Sequence, residues 1–220
     1  MALRYFICAV IGYLTGSLNF AVILSKLKYK KDIRDYGSKN AGMTNTTRTF
    51  GKGAGALVFI GDFLKPMIAC GISMFLISGN KNIMICGYIA GLATMLGHIF
   101  PLYFGFKGGK GVATMFGMAL ALSPAAAVIM AIPFFACLAI SKMVSMSSML
   151  ASLFFPIGIF LINNHFTFLN PTLLNTDSFV PLIISLFVPV IVIFMHRTNI
   201  RRIIKGEERK IGKKNKETQK

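Results

Sequence analysis

The sequence is poor in charge, and poorer still in acid. Only 14% of its residues are charged, where a soluble domain carries roughly a quarter. A water-soluble globular fold is thereby excluded. Seven Asp and Glu stand against 24 Lys and Arg, for a formal net charge of +17. The stretches 25–53 and 101–144 hold only Asp32 and Asp35 as acids. No Asp/Glu cluster is at hand for a catalytic divalent metal, so no metal and no other cofactor is expected. Tryptophan is absent, and the cysteines are only four. Cys8, Cys70, Cys86 and Cys137 each stand alone in an apolar run, with no Cys-x-x-Cys. They are expected to be packing residues rather than disulfides or metal ligands. No Gly-x-Ser-x-Gly elbow occurs. The residues five places beyond His98, His165 and His196 are Tyr103, Asn170 and Arg201, so no histidine has the acidic partner of an HxxxxD acyltransferase. No small-residue cleavage site follows the first apolar run, which is expected to be a retained span.

Long apolar runs are what the chain has instead. It is 55% hydrophobic, with a mean hydropathy of +0.66. A span needs about 20 apolar residues. Tyr5–Leu24, Ala54–Ile77, Ile83–Phe100, Ser145–Ile162 and Phe179–Met195 qualify. The uncharged run from Val112 to Ile140 is long for one helix and short for two, and Ser123-Pro124 near its middle is a turn signal. Charge decides the count. With two short helices there, loops 25–53, 101–111, 141–144 and the segment from 196 onward share one side. They then hold every Lys and Arg except Arg4, Lys65 and Lys81. A single helix would put the basic C-terminal segment opposite loop 25–53, against the positive-inside rule. The fold class is therefore an all-α integral membrane protein of seven transmembrane helices, N-terminus outside and C-terminus cytoplasmic. Residues 1–204 form one transmembrane domain. Residues 205–220 form a basic cytoplasmic tail, expected to be disordered beyond its first turn. The positive charge fits anionic headgroups better than nucleic acid. Gly12/Gly16 and Gly87/Gly91 have the spacing of close helix contacts.

Phosphate-binding chemistry stands at the ends of these spans. Gly37 and Gly42 frame Ser38, Asn40, Thr44, Asn45 and Arg48, which reads as an anion cradle or, more plainly, as a polar loop with turn glycines. Lys107, Gly108, Gly109, Lys110 and Gly111 run directly into a helix starting near Val112, and a helix N-terminus favours anions. Lys107 and Lys110 can bracket one phosphate, or snorkel at the interface. This is not a Walker A loop. Phe104 stands where its first glycine belongs and Gly111 where its Ser/Thr belongs, which argues against nucleotide hydrolysis. His98 at the end of the third span is structural or catalytic. His196, Asn199 and Ile203 share a helix face with Arg202 beside it, in a site or in a basic stop-transfer flank. Ser145 and Ser148 could bind a ligand or cap a helix. Asp62 and Lys65, three apart within a span, read first as an ion pair fixing helix packing and second as part of a site.

These stretches together resemble the bacterial acyl-phosphate:glycerol-3-phosphate acyltransferase family. Gly37–Arg48 follows its pattern GSxNxGxTNxxR. Gly97–Thr114 follows GHxFPxxxxFKGGKGVAT. His196–Ile203 follows HxxNIxRL with Ile for the last Leu. Asp62 to Lys65 looks like the family's GDxxK, with Pro66 where a glycine usually follows. The resemblance implies seven spans with all three motifs cytoplasmic. It implies transfer of an acyl group from acyl phosphate to sn-glycerol 3-phosphate, giving 1-acyl-sn-glycerol 3-phosphate (lysophosphatidic acid) and phosphate, at the cell membrane. It marks His98, Lys110, Arg48, Ser38 and His196 as catalytic. It marks Gly37, Asn40, Gly42, Thr44, Asn45, Lys107, Gly108, Gly109, Gly111, Ser145, Asn199 and Arg202 as substrate-binding. An acyl phosphate carries its own leaving group, so neither a nucleophilic serine nor a metal is required. The substrate's phosphate can take the glycerol proton, with His98 or His196 as the competing base. The expected partners are the two substrates, membrane lipids and the enzyme that supplies acyl phosphate. An organophosphate transporter is the rival reading, but it would show repeats and a site at the midplane. A lipid-binding structural protein would leave both glycine-rich stretches unexplained.

Overall fold

The computed structural model describes residues 1–76, 83–165 and 179–212. Lys81, the expected outer loop over 166–178 and the tail from 213 onward lie outside the described residues. Among the described residues there is no strand. The first apolar run is longer than expected and broken once. It forms α1 (Ala2–Ser17) and α2 (Phe20–Tyr29), because Asn19 starts a new helix. Its Oδ1 accepts from the Val22 N–H at 3.1 Å, as an N-cap does. A 3-10 turn at Ile33–Asp35 and the short α3 (Met43–Phe50) follow. Then come α4 (Lys52–Leu76), α5 (Ile83–Ile99) and a 3-10 turn at Leu102–Phe104. Pro66 lies inside α4, which runs on past it.

The apolar run after Gly111 does divide at Ser123. It makes α6 (Val112–Leu122) and α7 (Pro124–Ser141). Ser123 Oγ accepts from the Ala126 N–H at 3.4 Å, and Pro124 occupies the first turn, where its missing N–H costs nothing. The expectation of two short helices needs one correction. α7 has 18 residues and reaches spanning length, while α6 has 11 and does not. The chain closes with α8 (Val144–His165), α9 (Phe179–Met195) and α10 (Arg197–Ile204). Among the described residues five helical segments are long and apolar enough to cross a membrane, with α1 and α2 counted together, or six if α9 and α10, bent by 58°, count as one span.

The helices pack through small residues. α1 lies along α5. A side chain at Gly12 or Gly16 would collide with the backbone carbonyls of Ala90 and Thr94, so these glycines set the close approach. The main apolar cluster centres on Tyr88, Met95, Met115, Met118, Phe155 and Val188. Phe6, Ile68, Phe135 and Val190 stay exposed on outward faces, as suits helices solvated by lipid. All four cysteines are free, and Cys8, Cys70 and Cys86 are buried.

Candidate active site

The three motif stretches converge at one end of the bundle. The first is a loop tied into shape from within. Gly37 has φ +57°, a conformation that suits glycine, and a Cβ there would strike Asn45 Oδ1. That oxygen accepts from the Ser38 N–H at 2.9 Å. Asn45 Nδ2 donates to the carbonyls of Tyr36 at 2.9 Å and Ile33 at 3.2 Å. Asn45 is buried and directs its side chain into the protein, so it builds the loop that presents Ser38. Gly42 is the N-cap of α3 and packs beside Asn40. Thr44 and Arg48 lie on α3, half-buried and exposed in turn.

The second loop is fastened to the end of α5. The Gly108 N–H donates to Ile99 O at 3.0 Å, and the Gly109 N–H to His98 O at 3.1 Å. A Cβ on Gly109 would collide with His98 Nε2 and crowd the Ala41 carbonyl. Gly109 is therefore where the first and second motifs meet. Gly111 is the N-cap of α6 at φ +81°. Arg34 bridges the same two loops. Its Nη1 donates to the carbonyls of Phe104 at 2.6 Å and Lys107 at 3.2 Å, while its Nε and Nη2 grip both oxygens of Asp32. The Arg34 fork holds the Asp32 carboxyl down to about 2. Reading the sequence missed Arg34, and the Asp-x-Arg spacing was its one local signal. Lys107 is exposed and meets Arg34 only through its carbonyl, and no contact joins it to Lys110.

Lys110, by contrast, reaches the third motif. Its Nζ donates to Asn199 Oδ1. Asn199 Nδ2 donates to Glu208 Oε1 at 2.7 Å, and Ser145 Oγ donates to the same oxygen at 2.7 Å. Arg202 Nε donates to Glu208 Oε2 at 2.9 Å. Ser145 thus neither caps α8 nor stands idle, whereas Ser148 Oγ only returns to Val144 O at 2.7 Å. Arg48 lies within electrostatic reach of Glu208, Arg202 and Arg209. Glu208, with a side chain 5% exposed, is the second residue that reading the sequence missed. It sits in the stretch assigned to a polar tail, and nothing local marks it. Burial alone would raise its carboxyl, but hydrogen bonds from Arg202, Asn199 and Ser145 hold it below its ordinary value. The described start of that stretch is thus packed on the site, and Ile211 N donates to Lys142 O at 2.8 Å.

Burial pushes the Lys110 ammonium down to about 8, with Arg202, Arg197 and Arg48 adding to the shift and Glu208 opposing it. Below about pH 8 the side chain is a cation, and above it the charge is lost. If it holds a phosphate, kcat/KM should fall as pH rises through this range, since that ratio reports the free enzyme. Lys110→Arg, which does not titrate there, should remove that alkaline limb if it remains active. A limb unchanged in that variant would assign it elsewhere.

The remaining two candidates are histidines. His196 begins α10 and is buried. Its Nδ1 lies 2.7 Å from Val192 O. His98 is buried beside Asp62 and Lys65 of α4. Lys65 Nζ is 3.0 Å from Asp62 Oδ1, 3.0 Å from Gly16 O, 3.2 Å from Leu18 O and 2.9 Å from His98 Nδ1. The ammonium caps the last carbonyls of α1 while pairing with the carboxylate. Among the described residues no group of three His, Cys, Asp or Glu is placed to hold a metal ion.

Taken together, the arrangement is a cationic, hydrogen-bonding face with glycine-lined backbone, suited to phosphate groups. The family model of glycerol-3-phosphate acyltransferase matches residues 6–206. Glycerol-3-phosphate acyltransferase 2 of Bacillus anthracis is 42% identical over 92% of this chain and 96% of its own length. The glycerol-3-phosphate acyltransferase of Clostridioides difficile (strain 630) is 39% identical over 96% of this chain and 97% of its own. Among solved structures, PlsY, an integral membrane glycerol 3-phosphate acyltransferase, matches in two crystal structures. Its glycerol 3-phosphate form gives a TM-score of 0.80 at 34% identity, covering 94% of this chain and 96% of that one. Its lysophosphatidic acid form gives 0.76 at 31%, covering 94% and 95%.

Proposed function

The chain belongs to the glycerol-3-phosphate acyltransferase family, and from that premise we propose the reaction it catalyses. The acyl group of an acyl phosphate passes to sn-glycerol 3-phosphate, giving 1-acyl-sn-glycerol 3-phosphate and phosphate. The observation that carries this reading is the linkage of Lys110 to Asn199, Arg202, Ser145 and Glu208, with Arg48 close by. That is provision for phosphate without nucleotide-binding or nucleophilic machinery. The glycerol hydroxyl oxygen attacks the acyl carbonyl carbon. The bond from that carbon to the phosphate oxygen breaks, and the departing phosphate takes the hydroxyl proton. Both substrates carry phosphate, which accounts for cations supplied from α3, the second loop and α10. Ser38, Arg48, Lys110, His98 and His196 act at the reacting groups. Gly37, Asn40, Gly42, Thr44, Lys107, Gly108, Gly109, Gly111, Asn199 and Arg202 shape or line the substrate site, and Asn45 and Ser145 support it from behind.

The expected result with the purified protein is turnover on acyl phosphate and only background on acyl-CoA. Equal or faster turnover on acyl-CoA would overturn the donor assignment. We further propose seven spans in a single transmembrane domain over 1–204, with the N-terminus outside and the site facing the cytoplasm. The short α6 would be the seventh apolar crossing, shielded by its neighbours. Reporters placed in 25–53 and after Lys220 should then both read cytoplasm, and opposite readings would remove that topology. The enzyme that supplies acyl phosphate is the proposed partner at the cytoplasmic face.

A further inference from the structure

We infer that His98 is held with its proton on Nε2, and that it serves a bound substrate oxygen as a hydrogen-bond donor rather than accepting the glycerol proton. The Lys65 ammonium has three protons and no lone pair. Those protons meet four acceptors, Gly16 O, Leu18 O, Asp62 Oδ1 and His98 Nδ1, so two of the four share one, and the 2.9 Å approach to Nδ1, the shortest, is a hydrogen bond only when Nδ1 is the acceptor. The neutral ring then carries its proton on Nε2. The alternative, Nδ1–H donating to Asp62 Oδ1 across 3.3 Å, would set an N–H against an ammonium at the shorter distance. Asp62 and Lys65 are the titratable groups beside the ring. The C-terminal end of α1 brings the carbonyls of Gly16 and of its C-cap Leu18 to Lys65.

On its other side the ring faces the seam between the first and second motifs. Gly109 must lack a side chain because His98 Nε2 is there, and Ala41 O borders the same spot. Among the described residues no group accepts a hydrogen bond from Nε2. Asp62 and Lys65 are thus positioning residues. They fix the tautomer and orientation of a donor aimed at the phosphate loop. His196 is held the opposite way. A carbonyl only accepts, so the 2.7 Å contact with Val192 O puts its proton on Nδ1 and leaves Nε2 with a lone pair.

The role of the Nε2 proton rests on the acyltransferase reading, but the tautomer does not, and the experiment separates them. The chain has three histidines, so nitrogen-15 histidine labelling gives a readable NMR spectrum, assigned with His165→Gln and His196→Gln. The expected result is a protonated Nε2 and an unprotonated Nδ1 on His98 from about pH 6 to 8, the range where a free imidazole titrates. A protonated Nδ1 would overturn the inference whatever the enzyme's activity. Glycerol 3-phosphate or acyl phosphate should then move the Nε2 resonance, and no movement with either would end the donor role. In kinetics, His98→Ala should lose roughly tenfold to a hundredfold, as for a lost charge-assisted contact. His98→Gln, which keeps an N–H, should recover part of the activity that His98→Ala loses, with an unchanged pH profile. Loss of the acidic limb in His98→Gln would identify a base and contradict the donor assignment.

Discussion

Lys65→Ala or Asp62→Ala should each destabilise the protein by about 3–5 kcal/mol, the usual cost of leaving a buried charge without its partner. Both side chains are nearly inaccessible, at 3% and 2% exposure, and lie 3.0 Å apart. The loss should appear as a large fall in unfolding temperature in detergent. Replacing both, as Asp62→Leu with Lys65→Met, removes two charges together and should recover part of that loss. Recovery should stay incomplete because Lys65 also serves Gly16 O and Leu18 O at the break between α1 and α2. Single variants within about 0.5 kcal/mol of the parent, the range of ordinary surface changes, would mean that the pair does not hold the helices.

Arg48→Ala and Lys110→Ala should each lower kcat/KM roughly tenfold to a hundredfold, while insertion and monodispersity persist. A charge-assisted contact to an anion contributes roughly 1.5–3 kcal/mol. Lys28→Ala removes the same charge from an exposed position on α2 and should leave activity nearly intact. If all three weakened activity alike, the effect would be general attraction to anionic lipid. The two site variants should also respond to substrate phosphate as a unit, because Lys110 and Arg48 belong to one electrostatic cluster with Arg202 and Glu208.

Local chemistry made part of this legible from the chain alone. Ser123-Pro124 pairs a capping residue with one suited to a helix's first turn, and with the positive-inside rule it makes the division of the apolar run legible. Gly12 and Gly16 announced a close helix contact by spacing. Lys110, Asn199 and Arg202 were named from their motifs, and the fold brings them together. What stayed hidden depends on side chains meeting across long stretches of chain. Glu208 meets Ser145 from 63 residues away, and Arg34 meets Phe104 from 70 away. Neither pairing leaves a periodic or compositional trace. Asn45 looked like a ligand-binding amide because residue type does not reveal direction. Only its contacts with Ser38, Tyr36 and Ile33 show that it faces inward. His98 reads from the chain alone as structural or catalytic for the same reason, since Lys65, its partner, lies 33 residues away on another helix.

On the proposed reaction, this chain's own cationic face supports direct acyl transfer. The decisive experiment is product formation by the purified protein given acyl phosphate and glycerol 3-phosphate, with no nucleotide, CoA or added metal. The expected outcome is 1-acyl-sn-glycerol 3-phosphate and inorganic phosphate in equal amounts. Absence of turnover until CoA, a nucleotide or a metal is supplied, or phosphate release without acylated product, would contradict it.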